Sequence, residues 1–207
     1  GSPSVSPIAT TTYTVTVIGT NGCTNTNTKT VTVNSLPTIS ITATPTNAIV
    51  CAGQNLILNT TGANTYVYSP TCTNNTAFVP TASATYTVTA TDVNGCTKTA
   101  TKAVVVNSLP TINISSTPTN ATVCAGQSVT LNATGGASPN WSGGITNNVS
   151  FIPNATTTYT VTATGTNGCT NSNTKTVTVY ALPAISITAT PANAIVCSGQ
   201  NAILNAT

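Results

Sequence analysis

The stretch of sequence that decides the fold is the heptapeptide at residues 85–91, which reads TYTVTAT. Polar and apolar side chains alternate through it with a period of two, which is typical of a half-buried β-strand. Threonine and other β-branched residues favour strands because their stiff side chains suit a pleated surface. We therefore predict that Tyr86, Val88 and Ala90 face a core and that the threonines between them face outward.

The same pattern recurs at a fixed spacing along the chain. Near-identical contexts surround tyrosines at positions 13, 86 and 159, so the repeat is 73 residues long and needs no gap. Two further motifs keep this spacing: Asn-Gly-Cys, ending at Cys23, Cys96 and Cys169, and Val-Cys-Ala/Ser-Gly-Gln, at Cys51, Cys124 and Cys197. A period of this kind predicts a tandem array of similar structural units.

The phase of the repeat predicts where the units begin and end. Residues 36–108 and 109–181 are expected to be complete units, residues 1–35 the C-terminal part of another unit, and residues 182–207 the N-terminal part of the next one. Each unit contains several short alternating runs, and Asn-Gly at 94–95 signals a hairpin. We expect each unit to be a small all-β sandwich and the 207 residues to be a window on a longer array.

Each complete unit has one cysteine before its second predicted strand, Cys51 or Cys124, and one at the Asn-Gly turn, Cys96 or Cys169. The start of a strand and the end of an antiparallel counterpart lie at the same pole of a sandwich, which predicts disulfides Cys51–Cys96 and Cys124–Cys169. Closing such a loop stabilises a small domain by roughly 4 kcal/mol. Disulfides indicate an oxidising, extracellular compartment.

Three cysteines are left over by this pairing. Cys23 and Cys197 are expected to have partners outside the window, or in a neighbouring copy if chains join head to tail. Cys72 is expected to be unpaired, because Ile145 takes its place in the next unit. We interpret Cys72 as a small buried apolar residue, with an intermolecular cross-link as the alternative.

The charge content excludes most functional classes. The chain contains four lysines, one aspartate and no histidine. General acid–base catalysis needs positioned ionisable groups, and zinc or calcium sites need several ligands. Clustered basic residues, which mark nucleic-acid binding, are also missing. We therefore predict no enzyme activity, no catalytic residues, no metal or cofactor site and no nucleic-acid partner; no apolar run is long enough for a membrane span.

Threonine and asparagine dominate the composition, with 50 and 25 residues respectively. Solvated strand faces are the ordinary explanation, and a surface that binds ice or carbohydrate is the alternative. Uncharged surfaces do not repel one another, so lateral association of arrays is a further expectation. Candidate glycan attachment sites of the Asn-x-Ser/Thr type are Asn59, Asn74, Asn113, Asn120, Asn132, Asn140, Asn148, Asn154 and Asn205.

Four motifs carry a family resemblance. VCAGQSVTL at 123–131, Trp141-Ser142, TYTVTAT at 158–164 and Asn-Gly-Cys at 167–169 resemble the immunoglobulin-like repeats of very large secreted and surface proteins of Bacteroidetes. The resemblance extends over the whole chain. It implies immunoglobulin-like sandwiches in tandem, export by the type IX route, and a place in adhesins, gliding-associated surface proteins or extracellular filaments. It also implies that Tyr68 and Trp141 are the core aromatic residues of the third strand.

These observations lead to two functional hypotheses. The first is a structural, non-enzymatic repeat region of a bacterial extracellular filament or cell-surface adhesin stalk, whose partners are neighbouring copies or the continuation of the same chain. Its units meet at a short junction around Pro110 without a flexible linker, which favours a stiff rod. The alternative is an adhesin whose repeats themselves bind glycan, ice or a partner surface through threonine-rich or aromatic faces.

Overall fold

The computed structural model describes residues 3–207 and is all-β, apart from one 3₁₀ turn at Ser142–Gly144. The chain divides into two compact units between Ser108 and Leu109. Each unit contains one seven-stranded sandwich and one separate hairpin or strand pair. The two sandwiches are described below one at a time.

The first unit opens with a hairpin and continues into the first sandwich. The hairpin pairs β1 (Thr11–Ile18) with β2 (Thr24–Val31). The strands of the sandwich are β3 (Ser40–Thr44), β4 (Ile49–Cys51), β5 (Leu56–Thr61), β6 (Thr65–Ser69), β7 (Ala77–Phe78), β8 (Ala84–Thr91) and β9 (Thr97–Asn107). They form two sheets, ordered β3-β5-β7 and β4-β9-β8-β6.

The second unit repeats this order of strands. The strands of the second sandwich are β10 (Asn113–Thr117), β11 (Thr122–Cys124), β12 (Val129–Thr134), β13 (Ala137–Trp141), β14 (Ser150–Phe151), β15 (Thr157–Thr164) and β16 (Thr170–Tyr180). Its sheets are ordered β10-β12-β14 and β11-β16-β15-β13. A separate antiparallel pair, β17 (Ile187–Thr190) and β18 (Ile203–Ala206), follows.

Both sandwiches have an immunoglobulin-like arrangement, with three strands facing four. All strand pairs are antiparallel except one in each sandwich, where β4 runs parallel to β9 and β11 runs parallel to β16. In each sandwich the first strand belongs to the three-stranded sheet. The chain then crosses over, and the short parallel strand lies at one edge of the four-stranded sheet. The all-β fold class predicted from the alternating runs is confirmed.

The core of the first sandwich follows the alternation seen in the sequence. Leu56 and Leu58 on β5 are fully buried, while Ile57 between them is half-buried. On β8, Tyr86 is 6% exposed and both Val88 and Ala90 are completely buried, as predicted. Side chains from both sheets contribute to this cluster, so it is the layer between them.

The second sandwich is built on the corresponding residues. Val129 and Leu131 on β12 are buried, and so are Val161 on β15 and Val177 on β16. Trp141, at the end of β13, is buried in the same cluster. Each sandwich therefore has a hydrophobic core of its own, which is what an independently folding domain requires.

The two ends of each sandwich differ in which part of the chain they hold. In the second sandwich, the side-chain amide of Asn171, near the start of β16, donates a hydrogen bond to the backbone carbonyl of Pro110 at 2.9 Å. Pro110 precedes the first strand, so this end, the N-terminal pole, holds the beginning of the sandwich and the β15–β16 turn. The opposite end, the C-terminal pole, holds Tyr180, the last residue of β16.

The first sandwich has the same two poles. A Cβ atom on Gly62 would overlap the carbonyl oxygen of Thr38, which lies ahead of β3. Next to it, the backbone N–H of Asn64 donates to the carbonyl oxygen of Thr91, the last residue of β8, at 2.8 Å. The chain therefore begins beside the β8–β9 turn, at the N-terminal pole, and ends with Asn107 at the C-terminal pole.

Candidate functional site

The outer face of each β-hairpin carries paired threonines. In the first sandwich, three pairs lie directly opposite each other across β8 and β9: Thr87 with Thr101, Thr89 with Thr99, and Thr91 with Thr97. They occupy the strand positions that alternate with the buried Tyr86, Val88 and Ala90. We call this surface the threonine face. It forms because a period of two sends one set of side chains to the core and the other to solvent.

The threonine face recurs on the other two hairpins. On β15 and β16 the pairs are Thr158 with Thr176, Thr160 with Thr174, Thr162 with Ser172, and Thr164 with Thr170. On β1 and β2 they are Thr12 with Thr30, Thr14 with Thr28, and Thr16 with Thr26. At the end of each of these two ladders the hydroxyl groups bond to each other, since Thr12 and Thr30, and likewise Thr158 and Thr176, have Oγ1 atoms 2.8 Å apart.

The threonine face carries no charge among the described residues. Each of the four lysines lies opposite an inward-facing residue of the neighbouring strand, and not opposite a threonine of this face. Three of them lie opposite a tyrosine in the hairpin register, as Lys102 does with Tyr86 and Lys175 does with Tyr159. The exposed hydroxyl and methyl groups therefore form an uncharged array.

This array has a definite chemical capacity. Successive outward side chains on one strand are about 6.6 Å apart, and neighbouring strands are about 4.8 Å apart. Each hydroxyl can donate one hydrogen bond and accept two, while each methyl group offers apolar contact. Such a face can bond to ordered water, to sugar hydroxyls or to another strand face.

The aromatic residues named in the sequence analysis lie in the cores. Tyr68 on β6 is 4% exposed and Trp141 is 5% exposed, so neither is available to stack on a sugar. The assignment of both as core aromatics is confirmed. The sequence reasoning missed Tyr180, which is 61% exposed at the C-terminal pole. The sequence does contain a signal for it, because Tyr180 departs from the repeat: the equivalent position of the preceding unit is Asn107.

The cysteines differ from the expected pairing. Cys51 and Cys169 are disulfide-bonded, whereas Cys96 and Cys124 carry free thiols. The pairs Cys51–Cys96 and Cys124–Cys169 are therefore not formed in this structure. Cys23 and Cys197 are exposed and carry free thiols as well.

The physical reason is the direction of the strands. In the register of β4 and β9, Cys51 lies opposite Asn107, the last residue of β9, and is therefore at the C-terminal pole. Cys96 immediately precedes β9 and lies at the N-terminal pole. The expectation assumed that the strand after Cys51 and the strand before Cys96 run in opposite directions. Both β5 and β8 instead run towards the N-terminal pole, so the start of one and the end of the other lie at opposite ends.

Cys72 lies against the core of the first sandwich. It carries a free thiol, is partly buried, and packs against the apolar cluster that contains Tyr68 and Tyr86. Desolvation by burial raises the pKa of the Cys72 thiol. This placement agrees with its interpretation as a small apolar residue, and the raised pKa lowers its reactivity.

The Asn-x-Ser/Thr sites divide into two groups. The amide of Asn74 is committed to the core, since it donates to the carbonyl oxygen of Thr60 at 3.0 Å and accepts from the hydroxyl of Tyr68 at 3.0 Å. Asn59 and Asn132 are half-buried on β5 and β12. The exposed sites are Asn113, Asn120, Asn140, Asn148, Asn154 and Asn205. Glycan attachment at any of them stays a prediction.

Residues 3–207 lack two further kinds of feature. No cluster of three or more histidine, cysteine, aspartate or glutamate side chains able to hold a metal ion occurs there. In the same residues, no helix has the length and apolar character needed to cross a membrane.

Comparisons with known proteins identify structural neighbours, two of which are described here. No protein-family model matches the chain, and no curated protein sequence matches it. One solved structure, a Ca²⁺-stabilized adhesin that helps an Antarctic bacterium reach out and bind ice, is 15% identical with a TM-score of 0.36. Another, PcdhgB3 EC1-4, is 11% identical with a TM-score of 0.25.

The coverage of these two comparisons is partial. The alignments cover 87% and 83% of this chain but only 59% and 57% of the two neighbours, so the chain spans less than two thirds of either. In both cases this chain is similar to part of a larger structure.

Proposed function

We propose that this chain is a structural, non-enzymatic repeat region of a long bacterial extracellular filament or cell-surface adhesin stalk. The observation that carries the proposal is the position of the chain ends in each sandwich. In the second sandwich the chain enters at one pole, beside the β15–β16 turn, and leaves at the other pole, at Tyr180. Domains joined in this way add length with every repeat, whereas domains whose two ends meet at one pole do not.

The length added per repeat can be estimated. β9 and β16 have eleven residues each and run between the poles. At about 3.3 Å per residue a strand of this kind spans about 35 Å, and end loops bring one repeat to roughly 35–40 Å. The proposal includes secretion to the cell surface, by the type IX route of Bacteroidetes as the family resemblance implies.

The uncharged surface supports association of such arrays with one another. A net charge of +3 over 207 residues gives little mutual repulsion. Neighbouring copies, or the continuation of the same chain, are therefore the partners proposed for this region, with glycans on the exposed asparagines as a further expectation.

Electron microscopy of the native material tests the filament role. Fibres with an axial repeat of about 35–40 Å per domain are the expected result. Short separate particles that contain only a few domains would overturn it. Small-angle scattering of residues 1–207 supplies a second measurement, with a maximum dimension well above that of a globular protein of equal mass as the expected outcome.

A second candidate function is favoured by one observation. The threonines lie in register on all three hairpins, so the threonine face is a regular array of hydroxyl groups. An adhesin whose repeats bind glycan, ice or a partner surface through this face would use that regularity. Tyr68 and Trp141 are buried and do not serve this candidate.

Isosteric substitution separates the two candidates. Replacing Thr89, Thr99 and Thr160 with valine removes hydroxyl groups but keeps the β-branched shape and the fold. If the face binds a ligand, glycan-array signals or inhibition of ice recrystallisation fall in this variant. The matched control is Thr42→Val on the exposed face of β3, in the other sheet. No binding by the unaltered chain would leave the structural role as the sole candidate.

A further inference from the structure

The three Asn-Gly turns of the chain share one backbone conformation. They are Asn21-Gly22 between β1 and β2, Asn94-Gly95 between β8 and β9, and Asn167-Gly168 between β15 and β16. The glycines have φ values of +81°, +80° and +81° in chain order. In each turn the glycine N–H donates to the carbonyl oxygen of the residue three positions earlier. The turns are therefore three copies of one chemical group whose surroundings can be compared.

In two of these turns a hydrogen bond holds the asparagine side chain. The N–H of Cys23 donates to Oδ1 of Asn21 at 3.1 Å, and the N–H of Cys169 donates to Oδ1 of Asn167, also at 3.1 Å. Asparagine side chains commonly accept from the backbone two residues later in this way. The bond keeps the carbonyl carbon of the side chain beside the cysteine N–H and away from the glycine nitrogen.

The third turn differs because an aspartate replaces a glycine. Asp92 stands where the other two turns have Gly19 and Gly165. Its Oδ1 atom accepts from the N–H of Cys96 at 2.9 Å and from the N–H of Asn94 at 2.8 Å. The carboxylate of Asp92 thus takes the hydrogen bond that the asparagine accepts in the other two turns.

The space in the turn also excludes the asparagine amide from its usual place. A Cβ atom on Gly19 would lie 2.8 Å from Oδ1 of Asn21, and a Cβ atom on Gly165 would lie 2.9 Å from Oδ1 of Asn167. Cβ atoms do not approach other atoms so closely, so a residue with a side chain at this position displaces the amide. In the described part of the chain, the exposed side chain of Asn94 accordingly has no hydrogen-bond partner.

We propose that Asn94 is a site of spontaneous deamidation, and that Asp92 makes it react faster than the equivalent asparagines of the other two turns. A following glycine favours this reaction because the missing side chain leaves its backbone nitrogen open to approach. The amide of Asn94 is free to turn towards Gly95, whereas the other two amides must first lose a hydrogen bond. The N–H of Gly95 also has the longest bond to its acceptor, at 3.2 Å against 2.9 Å and 3.0 Å.

The reaction consumes only water and needs no oxidant. The backbone nitrogen of Gly95 loses its proton to a base in solution and attacks the side-chain carbonyl carbon of Asn94. The new C–N bond closes a five-membered succinimide ring, while the side-chain nitrogen takes up a proton and leaves as ammonia. Water then adds to one of the two ring carbonyls and opens the ring, which gives aspartate or isoaspartate. The net change converts an amide and water into a carboxylic acid and ammonia.

The product changes both the charge and the backbone of the turn. Asp92 is the single acidic residue of the sequence, and the new carboxylate adds a second negative charge two residues away from it. The formal net charge falls from +3 to +2. The isoaspartate product also inserts a methylene group into the main chain between β8 and β9. The modified fraction at this turn therefore increases with the age of the chain.

Tryptic mapping measures the three sites separately in one sample. Trypsin cleaves after each lysine, so the asparagines fall in different peptides: Asn21 in 1–29, Asn94 in 30–98 and Asn167 in 103–175. The whole chain is incubated at mildly alkaline pH, sampled over time and digested. Mass spectrometry measures the conversion of amide to acid in each peptide, and labelling by an isoaspartyl methyltransferase identifies the isoaspartate product.

The expected result is a rate at Asn94 about fivefold above the rates at Asn21 and Asn167, the factor given by one ordinary hydrogen bond that does not have to break. The same incubation in urea is the control. All three asparagines are followed by Gly-Cys, so the rates should come together once the turns are unfolded.

Two reciprocal substitutions test the part played by Asp92. Asp92→Gly gives this turn the glycine of the other two, and the rate at Asn94 should fall about fivefold. Gly165→Asp should raise the rate at Asn167 by a similar factor, because its Cβ atom displaces the amide. Asn94→Gln is the blank, since the longer side chain would have to close a less favourable six-membered ring. The fluorescence of Trp141 and tyrosine circular dichroism report whether each variant is folded.

Three outcomes would overturn the inference. The first is equal rates at the three asparagines of the folded chain, and the second is an unchanged rate at Asn94 in the Asp92→Gly variant. The third is no product at Asn94 over a period in which the unfolded chain is converted. The inference does not rest on the proposed filament role, because the reaction is measured in separate folded chains.

Discussion

Trp141 donates its indole N–H to the side-chain oxygen of Asn147 at 3.0 Å, and the preceding repeat has the same relationship between different residues. There, the hydroxyl of Tyr68 donates to the side-chain oxygen of Asn74, also at 3.0 Å. Both asparagines also bond to the backbone of the neighbouring strand, as Asn147 does with the N–H and carbonyl of Ala133. A single asparagine thus satisfies the polar end of a buried aromatic side chain and ties the strand opposite it.

Replacement of Asn147 with alanine is expected to destabilise the second sandwich by about 2–3 kcal/mol. The substitution leaves the indole N–H of Trp141 and the N–H of Ala133 without partners in a buried setting. Urea unfolding followed by the fluorescence of Trp141 measures the loss. Asn140→Ala, at an exposed position on β13, is the control and should cost less than about 0.5 kcal/mol. Equal losses in the two variants would contradict the role given to Asn147.

Two glycines of the second sandwich separate steric overlap from backbone strain. Gly135 has φ +97°, and a Cβ there would overlap the carbonyl oxygen of Thr111. Gly126 has φ +84° with open space around it. We expect Gly126→Ala to cost about 1 kcal/mol, from the positive φ alone. Gly135→Ala should cost about 3 kcal/mol or more, because the backbone must also move. Denaturation followed by Trp141 fluorescence compares both, and similar losses would count against the close approach at Gly135.

The first sandwich is expected to lose stability at alkaline pH before the second. Burial raises the pKa of Tyr68, Cys72 and Tyr86 above their ordinary values, because desolvation disfavours the charged forms. A group whose pKa is raised in the folded state makes a stabilising contribution, and this contribution is complete at pH values below the unfolded-state pKa. It is lost as pH rises through that value towards the folded-state pKa. For a tyrosine, with an ordinary pKa of 10.0, this loss begins near pH 10.

The second sandwich supplies the control for this pH dependence. Trp141 and Ile145 stand where the first sandwich has Tyr68 and Cys72, and neither of them ionises. Melting between pH 8 and 11 is followed by Trp141 fluorescence for the second sandwich and by tyrosine circular dichroism for the first. Tyr68→Trp combined with Cys72→Ile should remove most of the difference. Parallel losses in both sandwiches of the unaltered chain would contradict the prediction.

Alkylation is expected to distinguish Cys72 from Cys124. Cys124 is exposed, whereas Cys72 is partly buried and its raised pKa keeps the thiol protonated. Because the thiolate is the reactive form, iodoacetamide at neutral pH should modify Cys124 at least tenfold faster. Timed quenching and peptide mass analysis measure both rates, and unfolding in urea should bring them together. Equal rates in the folded chain would favour the alternative of Cys72 as an accessible cross-linking thiol.

The alternation of side chains predicted the strands and most of the cores. Leu56 and Leu58 are buried and Ile57 is not, as the comparison with the next repeat indicated. This works because a two-residue period is a local property of the chain, and each buried face shows it directly. The tandem spacing strengthened the inference, since two copies of one strand resolve what a single copy leaves ambiguous.

The pairing of the cysteines could not be predicted in the same way. Whether Cys51 and Cys96 share a pole depends on the relative direction of β5 and β8, which lie in different sheets and are never hydrogen-bonded to each other. Local sequence pattern does not encode that direction. The short parallel strand β4, which places Cys51 beside Asn107, also has only three residues and leaves little trace in the sequence.

That short strand has a consequence for how a repeat responds to tension. A pull on the two chain ends draws β9 towards the C-terminal pole and β4 towards the N-terminal pole, once β3 has been released. Because β4 and β9 are parallel neighbours, paired from Ile49 with Val105 to Cys51 with Asn107, the force is applied in shear. The hydrogen bonds between them must then break together, not one after another as in a hairpin opened from its end. A strand of only three residues is thus the one that sets the resistance of the sandwich to being pulled apart.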